Sequence, residues 1–275
     1  MVNQTKIDAL NDRLSELDSV VVAFSGGVDS TLLLAMSVEA LGPERVLAVT
    51  ANSPTLPESE FGETQALTRE LGVEHKIVDT KELDDPRFAS NPRNRCYYCK
   101  RELFDRLWQV AEGEGFQHVV YGATAADLGD HRPGMQAAEE AGAIAPLLEA
   151  GLTKEEVREL SRELGLPTWD KPAMACLASR FPYGDAITQD SLLQVEKAEH
   201  LLRNELDFRQ VRVRHHGTIA RIEIEPAEFG RLLQESTRKR VVFEFKGLGF
   251  VHIALDLLGF RSGSMNEVVS LSEST

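Results

Sequence analysis

Apolar residues in the first half of the chain fall into two alternating patterns. Short runs rich in β-branched residues occupy 20–24, 45–50, 75–80 and 118–122, with the length and composition of buried strands. Between them, apolar residues recur at helical spacing. Ile7, Leu10, Leu14 and Leu17 mark an amphipathic helix ahead of the first run, 31–36 reads as a buried helix behind it, and 58–71 and 100–112 carry two more. Thr153 caps a helix over 154–164, with Glu155 and Glu156 in its first turn, and Gly165 and Pro167 stop it. The stretch 129–142 reads as a loop and 145–148 as a short strand. Strands alternating with helices imply an α/β fold with a doubly wound parallel sheet, and such sheets bind ligands past the carboxyl ends of their strands. Residues 25–30, 51–53 and 122–127 all fall at that edge, which makes Asn52, Gly122 and Asp127 candidate ligand contacts.

From Asp185 the pattern changes. A helix over 191–206 precedes two strands, 211–214 and 220–225, turned at 215–218; a short helix at 227–235 and strands at 241–245 and 251–257 follow. This is a small α+β unit. The predicted organisation is therefore a nucleotide-type domain over 1–184 and a smaller substrate or assembly domain over 185–275. The segment 171–184 before the boundary is rich in small residues, has no period and holds Cys176, so it reads as a site loop.

The first strand runs straight into Ser25-Gly26-Gly27-Val28-Asp29-Ser30. Glycines let the backbone turn tightly and approach a ligand, and the first amides of the following helix are unpaired at the positive end of its dipole. Such a place binds phosphate. Ser25 and Ser30 add hydroxyls, and Asp29 can hold a divalent ion shared with the phosphates. The Walker pattern and its lysine are missing. Ser-Gly-Gly-Val-Asp-Ser after a first strand instead resembles the PP-loop of ATP pyrophosphatases, which release pyrophosphate and leave AMP on the substrate. The plain alternative is a glycine turn between a core strand and a core helix.

Composition narrows the partners. With 275 residues the chain can hold both domains. Its net charge of −14 is uneven: Lys and Arg number 18 against 30 Asp and Glu over 1–184, and 12 against 14 over 185–275. So acidic a front domain is a poor nucleic-acid surface and favours small phosphorylated or carboxylated substrates met by local basic patches. No apolar run reaches the length of a membrane span, and residues 1–18 lack a leader pattern, so the expectation is a cytoplasmic protein with neither membrane nor nucleic-acid partner.

One basic patch stands out. Arg212 and Arg214 alternate with Val211 and Val213, Arg221 and Glu223 alternate with Ile222 and Ile224, and no acidic residue occurs over 208–222. Paired guanidiniums suit phosphate or carboxylate; a solvated sheet face would show the same alternation. The three cysteines pose a separate question. Cys96 and Cys99 form a C-x-x-C and Cys176 stands apart. Three thiolates could hold zinc with water as the fourth ligand, or a 4Fe–4S cluster with one iron open to an outside ligand such as sulfide. They could also be three buried thiols. Cys176 could act as a nucleophile on an activated carbonyl.

Together the 25–30 loop, the 171–184 segment around Cys176 and Val211-Arg212-Val213-Arg214-His215-His216-Gly217 resemble the LarE family, over nearly the whole chain. These are ATP-dependent sulfur transferases that help build the nickel-pincer nucleotide cofactor of lactate racemase. The resemblance implies that ATP adenylates a carboxylate of pyridinium-3,5-biscarboxylic acid mononucleotide with release of pyrophosphate, and that sulfur then displaces AMP to give a thiocarboxylate. It implies Ser25, Gly26, Gly27, Asp29 and Ser30 as the site for ATP and Mg2+, Cys176 as the sulfur-bearing position, and Arg212, Arg214 and Glu223 beside the substrate. In single-cysteine members the thiol is consumed and becomes dehydroalanine. With Cys96 and Cys99 added, this chain resembles the three-cysteine type, in which a 4Fe–4S cluster on Cys96, Cys99 and Cys176 carries an extra sulfide. The resemblance further implies a homo-oligomer, with a hexamer as one form, and transient contact with other cofactor-assembly proteins. A tRNA thiolase or an amide-forming synthetase would share the fold, but the acidic charge opposes the first, and no glutaminase-like domain fits for the second. A nucleotide- and metal-binding sensor would make no AMP at all.

Overall fold

The computed structural model describes residues 2–127, 133–172 and 175–261, without the side chains of residues 58–60. The chain divides into two compact units: Met1–Phe88 with Asn94–Met174, and Ala89–Arg93 with Ala175–Thr275. Gly184 thus lies within the second unit, which takes in the Cys176 segment and a short insert from much earlier in the chain.

In chain order, the first part contains α1 (Gln4–Ser15), β1 (Val20–Ala23), α2 (Val28–Leu41), β2 (Val46–Asn52), α3 (Glu58–Glu70), β3 (Glu74–Asp79), α4 (Pro86–Ala89), α5 (Arg95–Glu114), β4 (His118–Tyr121), α6 (Pro133–Glu140), α7 (Pro146–Glu149) and α8 (Lys154–Glu163). The sheet has the order β3-β2-β1-β4, and every pair is parallel. Alternate residues of β1 feed opposite faces. Val20 and Val22 pack with Leu10 and Leu14 of α1, Leu32 and Leu33 of α2 and Val157 and Leu160 of α8. Val21 joins Phe104 and Leu107 of α5 and Ala138 of α6 on the other side. A strand buried on both faces needs an unbroken apolar run, which is what 20–24 supplies. After β1 the chain builds β2 and β3 outward on one side, then returns to place β4 on the other. This reversal opens a crevice at the carboxyl ends of β1 and β4. The crevice has a tight floor: a Cβ on Gly122, just past β4, would lie 3.0 Å from both Asp29 C and Ser30 N at the start of α2.

Three local expectations for this half are corrected. The helix expected from residue 100 begins at Arg95, so Cys96 and Cys99 lie inside the first turns of α5 rather than ahead of it. Aromatic Tyr97 and Tyr98 are weak helix formers that concealed this start. The strand expected at 145–148 reduces to one parallel bridge, Val120 to Ile144, because Pro146 opens the short helix α7. The loop expected over 129–142 contains α6; its first residues, 129–132, lie outside the described residues. Among the described residues, no helix is long and apolar enough to cross a membrane.

The second unit contains α9 (Gln189–His200), β5 (Val211–His216), β6 (Ile219–Ile224), α10 (Phe229–Leu233), α11 (Glu235–Gly247) and β7 (His252–Leu255). A capping box between Thr188 and Ser191 starts α9, which runs on into a π-helical turn, Leu201–Glu205. The sheet order is β5-β6-β7; β5 and β6 form an antiparallel hairpin, and β7 lies parallel to β6. Residues 241–245, expected as a strand, belong to α11. Val241 and Phe245, four apart, enter the core with Phe208 and Ile222, whereas Phe243 is 76% exposed. A strand would have put all three on one face. The insert is held by backbone bonds: Ile187 N donates to Ala89 O (2.8 Å) and Gly184 N to Asn91 O (2.9 Å). Asn91 tolerates its positive φ of 54° and donates from Nδ2 to Pro182 O at 2.7 Å.

Burial also encloses charge. Arg180 has a fully buried side chain and grips Glu199 of α9 with two bonds, Nε–Oε1 at 2.8 Å and Nη2–Oε2 at 2.9 Å. Burial by itself would push the Glu199 carboxyl up, but the Arg180 charge and hydrogen bonds outweigh it and hold the group below the usual carboxylate range.

Two substitutions test this account by denaturant unfolding. Gly122→Ala forces a methyl against backbone and should cost about 1–3 kcal/mol, the usual scale of overpacking; an unchanged midpoint would show that β4 and α2 can part freely. Glu199→Ala strands a buried guanidinium and should cost about 3–5 kcal/mol, and a loss below about 1 kcal/mol would mean that water reaches Arg180.

Candidate active site

The first unit gathers its candidate residues around the loop after β1. Phe24 N donates to Val49 O (2.9 Å), keeping the chain in the sheet until the turn. Thr50 Oγ1 donates to Phe24 O (2.8 Å) and so accepts from His75 Nε2 (2.8 Å). Gly26 takes φ +69°, and a Cβ there would come within 2.9 Å of Thr64 Cγ2, so glycine is required twice over. Ser25 and Ser30 divide the work. Ser30 is buried: its Oγ accepts from Ser25 N (3.3 Å), donates to Gly27 O (3.2 Å) and lies 3.1 Å from Ser25 Oγ. It braces the turn. Ser25 is exposed, with its hydroxyl in hydrogen-bond range of Ser30 Oγ.

The first helical hydrogen bond of α2 closes from Thr31 N to Gly27 O (2.9 Å), which leaves the amides of Val28, Asp29 and Ser30 ahead of it as donors at the positive helix end. Gly122 meets this turn at the 3.0 Å approach described above. Asp127 folds back on its own turn, accepting from Thr124 N (2.8 Å) and Thr124 Oγ1 (3.2 Å). Asn52 donates to Asp79 Oδ1 (2.6 Å) at the ends of β2 and β3. Beside it the buried Glu82 accepts from Ser53 and Thr55, fixing the backbone beyond β2.

Two lysines meet this loop to which the sequence reading gives no role: Lys154 lies outside its motifs, and Lys171 opens the 171–184 segment. Lys154 Nζ donates to both carboxylate oxygens of Asp29, at 2.6 and 2.5 Å. Lys171 Nζ donates to Gly26 O (3.2 Å) and Glu63 Oε2 (2.6 Å). A faint signal existed for the first, because a cation in the first turn of a helix opposes the dipole and asks for another reason to be there.

The second unit assembles Arg212, Arg214 and Glu223 on the hairpin. Arg212 faces Glu223 and Arg214 faces Arg221 across the β5–β6 register. Arg212 and Arg214 are each 5% exposed and Glu223 is fully buried, so the face is not the solvated one that alternation allows. Arg214 donates to Glu223 Oε2 (2.7 Å) and to Ser179 O (2.9 Å). Arg221 completes the Glu223 pair at 3.2 Å and bonds Asp256 at 2.6 Å. Arg212 donates to Val211 O (2.8 Å) and lies over the Phe260 ring at 5.2 Å. Burial and the nearby Arg180 charge push the Arg212 guanidinium down to about 10, against the pull of Glu199.

Arg180 and Glu199, which no sequence motif singles out, link this cluster to the cysteine segment. Arg180 Nη1 donates to the carbonyls of Ala175 (2.7 Å) and Cys176 (3.1 Å), while Glu199 accepts from Val213 N (2.9 Å). The backbone at Cys176 is thus pinned from inside while its thiol stays exposed. Among the described residues this cluster holds more guanidiniums than carboxylates, a composition that suits an added anion, and the arginine forks match phosphate and carboxylate.

Cys96 and Cys99, three apart on α5, share one helix face; Cys96 is exposed and Cys99 half-buried. Two soft thiolates so placed are a chemically suitable pair of iron or zinc ligands. Among the described residues, however, no group of three or more His, Cys, Asp or Glu side chains is gathered to hold a metal.

Comparison with known proteins agrees with this picture. A family model described as NAD synthase matches residues 3–95. An NH(3)-dependent NAD(+) synthetase of Hyperthermus butylicus is 34% identical over 54% of this chain and 54% of its own length. An uncharacterized protein of Synechocystis sp. is 43% identical over 97% of this chain and 99% of its own. The pyridinium-3,5-bisthiocarboxylic acid mononucleotide synthase of Lactiplantibacillus plantarum is 42% identical over 98% of this chain and 96% of its own. A likeness that runs from end to end, over a loop built at the switch point of the sheet, means that the chain belongs to the LarE family of ATP-dependent PP-loop enzymes.

Proposed function

We propose that this protein is a sulfur transferase that adenylates a carboxylate of pyridinium-3,5-biscarboxylic acid mononucleotide and replaces AMP with sulfur. The observation that carries the reading is the Ser25–Ser30 loop in the β1–β4 crevice of a chain alike along its length to a named bisthiocarboxylate mononucleotide synthase. In this reading the amides of Val28 to Ser30 and the Ser25 hydroxyl hold the polyphosphate, Asp29 holds Mg2+, and Asn52, Gly122 and Asp127 border the nucleoside. Substrate carboxylate attacks the α-phosphorus and pyrophosphate leaves, so the acyl oxygen becomes part of a good leaving group, AMP. Sulfur then attacks the acyl carbon and AMP departs with the bonding electrons. A sulfide gives the thiocarboxylate directly, whereas the Cys176 thiolate gives a thioester whose Cβ–S bond breaks as the Cα proton is lost, releasing the thiocarboxylate and leaving dehydroalanine. The buried arginines Arg212 and Arg214, with Glu223 orienting Arg214, are suited to the substrate's phosphate and carboxylates.

The sulfur has two candidate sources. The exposed thiol of Cys176 on its pinned backbone supports direct donation, which would consume that side chain. The i, i+3 pair Cys96 and Cys99 supports a 4Fe–4S cluster shared with Cys176, which when bound would supply a renewable sulfide. Homo-oligomerisation, and passage of the product to other cofactor-assembly proteins, belong to the same proposal.

Asp29→Ala should lower AMP formation to below roughly one per cent of wild type, the scale seen when one preorganised contact to developing charge is removed; ordinary turnover would strip Asp29 of its metal role. Cys176→Ala should still release pyrophosphate but form no thiocarboxylate, and undiminished product would end its assignment as sulfur carrier. Anaerobic iron and sulfide analysis with intact mass separates the two sources. About four irons per chain and an unchanged mass after turnover identify the cluster, whereas no iron and the loss of one hydrogen sulfide identify Cys176.

A further inference from the structure

Asp29 already has a cation. Both of its carboxylate oxygens accept from the Lys154 ammonium, at 2.6 and 2.5 Å. Asp29 is the second residue of α2 and follows directly on the Ser25–Gly27 turn, so this cation stands beside the unpaired amides of the helix start. It occupies the oxygens that a divalent ion would need.

Three features distinguish the contact from a permanent brace. The pair is not sealed, since the two side chains are 26% and 32% exposed. An ion pair this open is weak, and a divalent ion with polyphosphate can displace it. The Lys154 backbone, by contrast, is firmly placed. Thr153 and Glu156 form a capping box around it, and Lys6 donates to Glu156 at 2.7 Å. The stem can therefore swing from a fixed root. Finally, a lysine in the first turn of α8 does nothing for the helix, whose dipole disfavours it. The turn itself carries no lysine. Lys171 approaches it on another side, at Gly26 O, where it is also paired with Glu63.

We propose that Lys154 is an exchangeable counter-ion for Asp29. Without nucleotide, its ammonium occupies the carboxylate and competes with free divalent ions. When Mg2+ and ATP enter together, the metal takes the carboxylate and the ammonium passes to the polyphosphate. Lys154 is then a positioning residue that biases the site toward the metal–nucleotide pair over the metal alone. The inference rests on the ATP reading of the loop.

The test uses the full chain as wild type, Lys154→Met and Lys154→Arg. Mn2+ binding to nucleotide-free protein is read from the electron paramagnetic resonance of the free ion, and binding of magnesium α,β-methylene-ATP by calorimetry. Lys154→Met should bind Mn2+ at least about threefold tighter than wild type, the scale of a part-exposed ion pair, yet bind the magnesium nucleotide more weakly. Lys154→Arg, whose fork grips a carboxylate with two bonds, should weaken Mn2+ binding. Equal Mn2+ affinity in wild type and Lys154→Met would overturn the proposal, as would unchanged nucleotide affinity. If Lys154→Met does not fold, Lys154→Arg alone decides, and unaltered Mn2+ binding in it has the same effect. A wild type that binds no nucleotide at all would instead bring down the ATP reading itself.

Discussion

The first unit depends on a steric constraint: the exit of β4 passes against the first turn of α2 with room for a hydrogen and no more. Because β1 and β4 are neighbours in the sheet but distant in sequence, their carboxyl ends must part to open a crevice while their backbones stay in contact below it. Gly122 permits the contact, Gly26 permits the turn, and Ser30 locks the turn from beneath. The helix amides that would face a phosphate are thereby fixed before any ligand arrives. Such preorganisation is what makes hydrogen-bond donors effective at developing charge, since nothing has to be rearranged during the reaction.

The second unit solves a different problem. Its hairpin buries arginines, which is costly unless each charge is paired and bonded. Glu199 and Glu223 meet this need by each serving more than one partner. Glu199 binds Arg180 and Arg203 and the amide of Val213, and Glu223 binds Arg214 and Arg221. Arg180 also reaches back to the carbonyls at Cys176, so the placement of an exposed thiol becomes part of the same buried network. A change in any member propagates to the others, and single substitutions here should not behave additively.

Much of this was legible in the sequence because it rests on local rules. A β-branched run followed by hydroxyls and two glycines can do few other things, and the alternation of Val211 to Arg214 identified both the strand and its charged face. Legibility failed where three-dimensional partners decide. The alternating Val241 to Phe245 stretch fits both periods, and only its packing against Phe208 and Ile222 selects the helix. Lys154 and Glu199 lie outside the motifs, and Lys171 and Arg180, though within the 171–184 segment, are given no role there. The lysines gain their roles from partners far away in sequence, 125 residues in the case of Lys154 and Asp29, and Arg180 and Glu199 gain theirs from each other across 19 residues. The burial of Arg212 was likewise invisible, because a solvated and a buried cationic face follow the same pattern.

The short insert formed by Ala89–Arg93 has a consequence for how the protein is made. Its hydrogen-bonding partners Gly184 and Ile187 emerge from the ribosome about a hundred residues later, a delay of roughly 5–20 s at ordinary rates of synthesis. During that interval the flanking sheet unit can complete itself around Asn94–Met174, while the loop in its middle waits for backbone partners that have yet to be made. The second unit is therefore never a simple C-terminal appendage. Cut free at Ala175 it would lack the strip of chain that ties down Pro182 and Ile187, so the two units are coupled through the order of the chain itself.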